Sequence, residues 1–203
     1  PYARVPQPAL DAAPARLVTL PPDRQNAVFG VQLPLALNDT SPDYPAFALA
    51  NFLLGGGGDS RLHKRIRERE GLSYATYSYV DWSRSYPASW GGAGATPAPR
   101  SRDRVEHVFA EEVQLALRGG FSAEEVDAAR QALLARRRLQ RAQDDALASV
   151  LAHNLYLGRT MQVSQQVDDA IAALTPPQVN AALRRHLDPA RFAQALAGDF
   201  KQP

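Results

Sequence analysis

Residues 72–82, LSYATYSYVDW, alternate side by side in hydrophobic character and are rich in Tyr, Thr and Val. A period of two over this length describes a half-buried β-strand and no helix. A second strand-like stretch, YPASWGGAGATP (86–97), follows after a short turn and is weakened by its glycines. Two strands joined so closely pair antiparallel, and this constrains the rest of the chain. RLVTL (16–20) and NAVFGVQLPL (26–35) form another such pair around the turn-forming PPDR.

Between and after these strands the period becomes helical. SPDYPAFALANFLL (41–54) reads as an apolar helix with Pro45 in its first turn, and the four glycines that follow end it. DSRLHKRIRERE (59–70) is a short helix with Asp59 or Ser60 as N-cap and Leu62 and Ile66 on one face. Ser101 caps a helix with an apolar stripe from Val105 to Leu117, stopped at Gly119 and Gly120. Ser122 and Glu125 make a capping box, and helical spacing runs on to Gly158, long enough to predict a bend near QDDA. TPPQ (175–178) opens another helix, and residues 188–200 hold a cap and a closing strand. This order predicts an α+β fold with a mostly antiparallel sheet packed against helices.

The domain plan is a Pro/Ala-rich linker over residues 1–15 and one α+β domain over 16–203. The first residues, PYARVPQPALDAAPAR, have neither an initiator Met nor the apolar core of a signal peptide, and read as part of a longer protein. No run of about 18 apolar residues occurs, so no membrane-spanning helix is expected. With no Cys, disulfides and thiolate metal sites are excluded. A net charge of +2 does not argue for nucleic acid.

The stretch GGGGDSRLHKRIREREGLSYATYSYV (55–80) concentrates the candidate chemistry. A phosphate loop needs Gly-x4-Gly-Lys-Ser/Thr, and Lys64 comes too late. Gly55, Gly56, Gly57 and Gly58 therefore read as a turn or hinge. His63, His107, His153 and His186 make neither of the spacings that put two imidazoles on one helical face, so no metal ligand set is expected. The basic runs RLHKRIRER and RRRLQR (136–141) read as solvated faces without aromatic interleaving. Arg67 and Tyr74 remain. A helix-to-strand corner can bring a forked guanidinium and a phenol O–H together, suited to a peptide carbonyl or a developing oxyanion. On the residues alone, the plain reading is an exposed Arg and a core Tyr.

PDYPAFALANFLLGGGGDSRLHKRIREREGLSYATYSYV, with GFSAEEVDAARQALL and NLYLGRT, resembles the pitrilysin or insulinase family of zinc peptidases. More narrowly, it is similar to the last domain of long bacterial zinc proteases built from four similar α+β domains. The resemblance runs from about residue 16 to 200. The family's inverted zinc motif, His-x-x-Glu-His, lies in its first domain and is missing here. The resemblance therefore implies that this chain alone is inactive and binds no cofactor, with zinc in a partner catalytic domain, on the same chain or another subunit. It implies that Arg67 and Tyr74, at the family's Arg-x6-Tyr spacing, bind a peptide substrate and its transition state. Arg69 takes that place only if the register slips, and Ser73 stands where Gly is commoner. The implied partners are the zinc-bearing N-terminal half and a peptide, with no nucleic acid and no membrane span. The bacterial periplasm or cell envelope is favoured over the cytoplasm. The alternative is a structural or assembly domain that kept the fold without a peptidase role.

Overall fold

The computed structural model describes residues 14–200. The linker proposed for residues 1–15 lies outside these, except for its last two residues. Five strands form one sheet: β1 (Arg16–Thr19), β2 (Val28–Leu35), β3 (Ser73–Asp81), β4 (Ser89–Pro97) and β5 (Ala193–Ala197). Their order is β1-β5-β2-β4-β3. All pairs are antiparallel except β1 with β5. The fold is thus α+β with a mostly antiparallel sheet, as expected. One expectation fails: β1 and β2 are not hairpin partners. The closing strand β5 inserts between them, and its carbonyls and amides satisfy both.

The register explains the two faces of the sheet. One row across it, Val18–Leu196–Phe29–Ala95–Thr76, turns toward the helices. The next row, Leu17–Ala195–Gly30–Gly94–Tyr77, turns the other way. On the helix side Phe29, Val31, Leu33 and Leu35 alternate inward and are at most 3% exposed. Each buried side chain of this size contributes about 1.5–3 kcal/mol relative to exposure. They meet Phe47, Leu54, Val108, Phe109, Val113 and Leu183 from the helical segments. The Phe29 and Phe109 rings pack edge-on with centroids 5.1 Å apart.

α1 (Tyr44–Asn51) has Pro45 in its first turn and continues as a π-type turn, Phe52–Gly56. The helix thus runs through Gly55 and Gly56, and the glycines do not end it where the sequence suggested. A wide turn accommodates them because the Gly57 N–H reaches back five residues to the Phe52 carbonyl. α2 (Arg102–Gly119) ends where Gly120 takes φ +73°. α3 (Ala123–Arg141) is the longest helix, opened by the Ser122/Glu125 capping box. The expected bend is a break at Ala142 and Gln143, after which α4 (Asp144–Leu157) begins. α5 (Gln162–Ala172) was not resolved in the sequence as a separate helix. α6 (Pro176–His186) follows Thr175, whose N–H donates to Gln178 Oε1 at 2.8 Å.

The run 136–141 is only partly a solvated face: Arg136, Arg138, Leu139 and Gln140 are exposed, while Arg137 and Arg141 are half-buried. Arg137 and Arg141 both pair with Asp168 of α5, which is 8% exposed, and Arg136 donates to the Gly56 carbonyl at 3.1 Å. Burial pushes the Asp168 carboxyl up, but the hydrogen bonds and charges of the two arginines outweigh it and hold it below its ordinary value.

Candidate functional site

The segment that joins α1 to β3 builds the corner. Leu62 and Ile66 are fully buried and pin a π-type helix, His63–Arg69, against the core. Its wide winding shows in the Glu70 N–H, which donates to the Arg65 carbonyl five residues back. Ser60 does not act as a side-chain cap: its Oγ is buried and has no hydrogen-bond partner among the described residues. The chain reverses at Gly71, whose φ of +61° suits glycine, while the Leu72 N–H closes onto the Ile66 carbonyl at 2.9 Å. Arg67 thereby lies in the last helical turn and Tyr74 at the start of the strand.

The first residues of β3 are irregular. The pairing with β4 shifts between Ser73 and Thr76. Ser73 Oγ donates to the Ala75 carbonyl and accepts from the Thr96 N–H, replacing ladder bonds that the slip removes. Tyr74 and Ala75 are consecutive and both face solvent as a result. Tyr74 is 80% exposed, which overturns the plain reading of a core Tyr. The guanidinium carbon of Arg67 lies 4.1 Å from the Tyr74 ring centroid. The residue stacked on Tyr74 is Arg67 and not Arg69.

The surrounding charges are committed elsewhere. Arg104 donates from Nε and Nη2 to the Glu70 carboxylate, and Arg65 bridges Glu70 and Glu111. The Arg104 hydrogen bond, above all, lowers the Glu70 carboxyl below its usual range. Arg67 enters no ion pair among the described residues. Its donors and the Tyr74 hydroxyl are thus available to a carbonyl brought against this corner.

The four glycines divide by position. A Cβ on Gly55 would lie 2.8–2.9 Å from Ser78 Oγ, Cβ and N, so this residue sets how closely the helical segment lies on β3. A Cβ on Gly58 would meet nothing within 4 Å. Sequence reasoning missed Tyr77 and Tyr79. Their rings lie across the other face of the sheet, over Gly94 and Gly92, where a Cβ would come within 2.8 Å of each ring's hydroxyl oxygen. The signal was present as Tyr alternating on one strand against Gly alternating on its partner.

The residues do not fit a metal. Among those described, no group of three His, Asp or Glu side chains is placed to hold an ion. His186 Nε2 is spent on Asp43 at 2.7 Å, and His153 Nδ1 on the carbonyl of Ser149.

Residues 1–133 match the family model described as the peptidase M16 inactive domain. The chain belongs to that family. A curated relative, the non-peptidase homolog YmxG of Helicobacter pylori, is 23% identical over 182 residues, which is 89% of this chain and 41% of YmxG. A solved M16 inactive-domain protein from Pseudomonas fluorescens matches with TM-score 0.79 at 22% identity, over 97% of this chain and 46% of that one. The periplasmic protease PqqL of Escherichia coli matches with TM-score 0.71 at 18% identity, over 92% of this chain and 21% of that one. This M16 chain therefore spans less than half the length of these relatives. At such identities the structural likeness establishes the fold, which extends past residue 133 to the helices that the family model does not reach.

Proposed function

We propose that this M16 inactive domain is the substrate-binding, non-catalytic part of a zinc metallopeptidase and lends Arg67 and Tyr74 to a site whose zinc is held by another domain or subunit. The observation that carries this is an aromatic side chain held out in solvent by a strand irregularity, with a guanidinium stacked on it that enters no ion pair among the described residues. The zinc supplies an activated water when bound in its own domain. Here, Arg67 holds a backbone carbonyl of the peptide before and during reaction, and the Tyr74 O–H donates to the scissile carbonyl oxygen as negative charge grows on it. Among the described residues no helix is long and apolar enough to cross a membrane. By analogy with PqqL, the compartment proposed is the periplasm.

A second reading, a structural or assembly domain without a peptidase role, is favoured by the name of YmxG, a non-peptidase homolog. One experiment separates the two. In the complete enzyme, Tyr74→Phe is expected to lower kcat roughly 10²-fold, or ~3 kcal/mol, with the melting temperature unchanged. Arg67→Ala is expected to raise KM as well. Unchanged hydrolysis by Tyr74→Phe, or activity lost only in step with unfolding, would give preference to the assembly reading.

A further inference from the structure

Tyr74 and Ala75 stand between Ser73 and Thr76 on β3, and both face solvent. On β4 only Thr96 stands between the partners, because Ser73 lies opposite Pro97 and Thr76 opposite Ala95. This is a two-against-one bulge. Regular pairing carried back from Thr76 would instead put Ala75 opposite Thr96 and Tyr74 opposite Pro97. Side chains alternate along a strand, so Tyr74 would then share the inward row of Thr76 and leave solvent. A slip of one residue therefore decides which way Tyr74 points.

A glycine can hold such a slip by taking a left-handed backbone at the bulge. This chain does not use that route. Among the described residues the only non-glycine with positive φ is Asp23. Ser73 supplies a side chain instead. It is 5% exposed, and its Oγ donates to the Ala75 carbonyl at 2.7 Å and accepts from the Thr96 N–H at 2.9 Å. One of these groups belongs to the bulged pair and the other to the residue facing it, so a single hydroxyl ties the two strands at the irregularity. Without it, both backbone groups lose that partner in a part-buried place, which is unfavourable.

The hydroxyl on the other side of the bulge gives no such help: Thr76 Oγ1 is buried and has no partner among the described residues. Behind Ser73 the corner is already fixed, since the Leu72 N–H is closed onto the Ile66 carbonyl at 2.9 Å. Ser73 is thus the link between the corner that carries Arg67 and the short stretch of strand that carries Tyr74.

We propose that Ser73 is the positioning residue of the Arg67/Tyr74 pair: its hydroxyl holds the bulge that turns Tyr74 out of the sheet and against the Arg67 guanidinium. Ser73 acts through Tyr74 and takes no part in the chemistry. Its effect on hydrolysis rests on the catalytic reading above, whereas its effect on the direction of Tyr74 does not.

The direction of Tyr74 is read in the purified chain by fluorine NMR after labelling with meta-fluorotyrosine, the Tyr74 signal being the one lost in Tyr74→Phe. In the wild type this signal is expected to show the full shift of an exposed ring between light and heavy water. Ser73→Ala should lose most of that shift, and Ser73→Thr, which keeps the hydroxyl, should retain it. An unchanged Tyr74 signal in folded Ser73→Ala overturns the proposal. Hydrogen exchange at the Thr96 amide of the wild type tests the bond without any variant: protection is expected, and exchange at the rate of an unbonded amide overturns the proposal even where Ser73→Ala does not fold. In the complete enzyme, Ser73→Ala should lower kcat roughly 10²-fold, as Tyr74→Phe does, and raise KM much less. Added to Tyr74→Phe it should lower kcat little further, because the two changes remove one interaction. Losses that multiply, in step with a falling melting temperature, would make Ser73 a structural residue only. A Tyr74 signal altered as expected, with hydrolysis indifferent to Tyr74→Phe, would leave the positioning role standing and sink the catalytic reading. A loss of kcat in Tyr74→Phe, with the signal unaltered in Ser73→Ala, would do the reverse.

Discussion

The guanidinium carbon of Arg67 sits 4.1 Å above the centre of the Tyr74 ring, although the two residues belong to different elements. A stack this exposed is worth about 0.5–1 kcal/mol. A double-mutant cycle of Arg67→Ala and Tyr74→Ala, followed by urea unfolding, is expected to return a coupling in that range. Tyr74→Phe keeps the ring and should leave stability within experimental error. A coupling of zero would mean that the two side chains do not hold each other in solution, and a pre-aligned donor pair would lose its basis.

Gly55 and Gly58 offer a paired test of the turn. Ala at 55 places its Cβ 2.8–2.9 Å from both backbone and side-chain atoms of Ser78, which cannot all withdraw. The strand and the helical segment must separate, at a cost of about 1–3 kcal/mol. Gly58→Ala meets open space and should change little. Melting temperatures of the two variants measured together decide the matter. Equal effects would show that residues 55–58 act through chain flexibility and not through close approach.

What was legible in the sequence was local. The alternation of 72–82 places β3, and Ser122 with Glu125 places the start of α3, because each signal lies within one turn or one pleat of what it specifies. The insertion of β5 between β1 and β2 has no local signature. Arg16 pairs with Gln194 across nearly the whole chain, and nothing in RLVTL distinguishes that partner from β2. Asp168 likewise reads as one acidic residue of a polar helix until α5 is laid on α3 and Arg137 and Arg141 close on it. At the candidate site it was the resemblance to the family, and not the residues alone, that singled out Arg67 and Tyr74. The exposure of Tyr74 depends on a register slip between Ser73 and Thr76 that alternation alone does not reveal.

Metal content gives a direct check on the division of labour within the M16 fold. Untagged, purified chain is expected to contain far less than one zinc per molecule, to melt at the same temperature with and without chelator, and to cleave no peptide. The reason is the dispersal of its imidazoles over separate elements, with His186 and His153 already engaged. About one tightly held zinc per chain, lost together with stability on chelation, would overturn it.

Asp168 links α3 to α5 and should govern the response to acid. Its carboxyl titrates below the ordinary value of 3.8 because Arg137 and Arg141 favour the charged form over the cost of burying it. A carboxyl lowered in the folded state contributes stability that is fully present above the unfolded value. That stability disappears as the pH falls through the folded one. Asp168→Asn keeps the shape but leaves two partly buried guanidinium groups facing an amide, and is expected to cost about 1–3 kcal/mol at pH 7. The gap between wild type and variant should therefore stay level down to about pH 4 and narrow below it. Urea unfolding at pH 7, 4 and 3, from well above the ordinary carboxyl value to about one unit below it, measures this. A gap unchanged at pH 3 would assign the role of Asp168 to packing between α3 and α5 instead of to its charge.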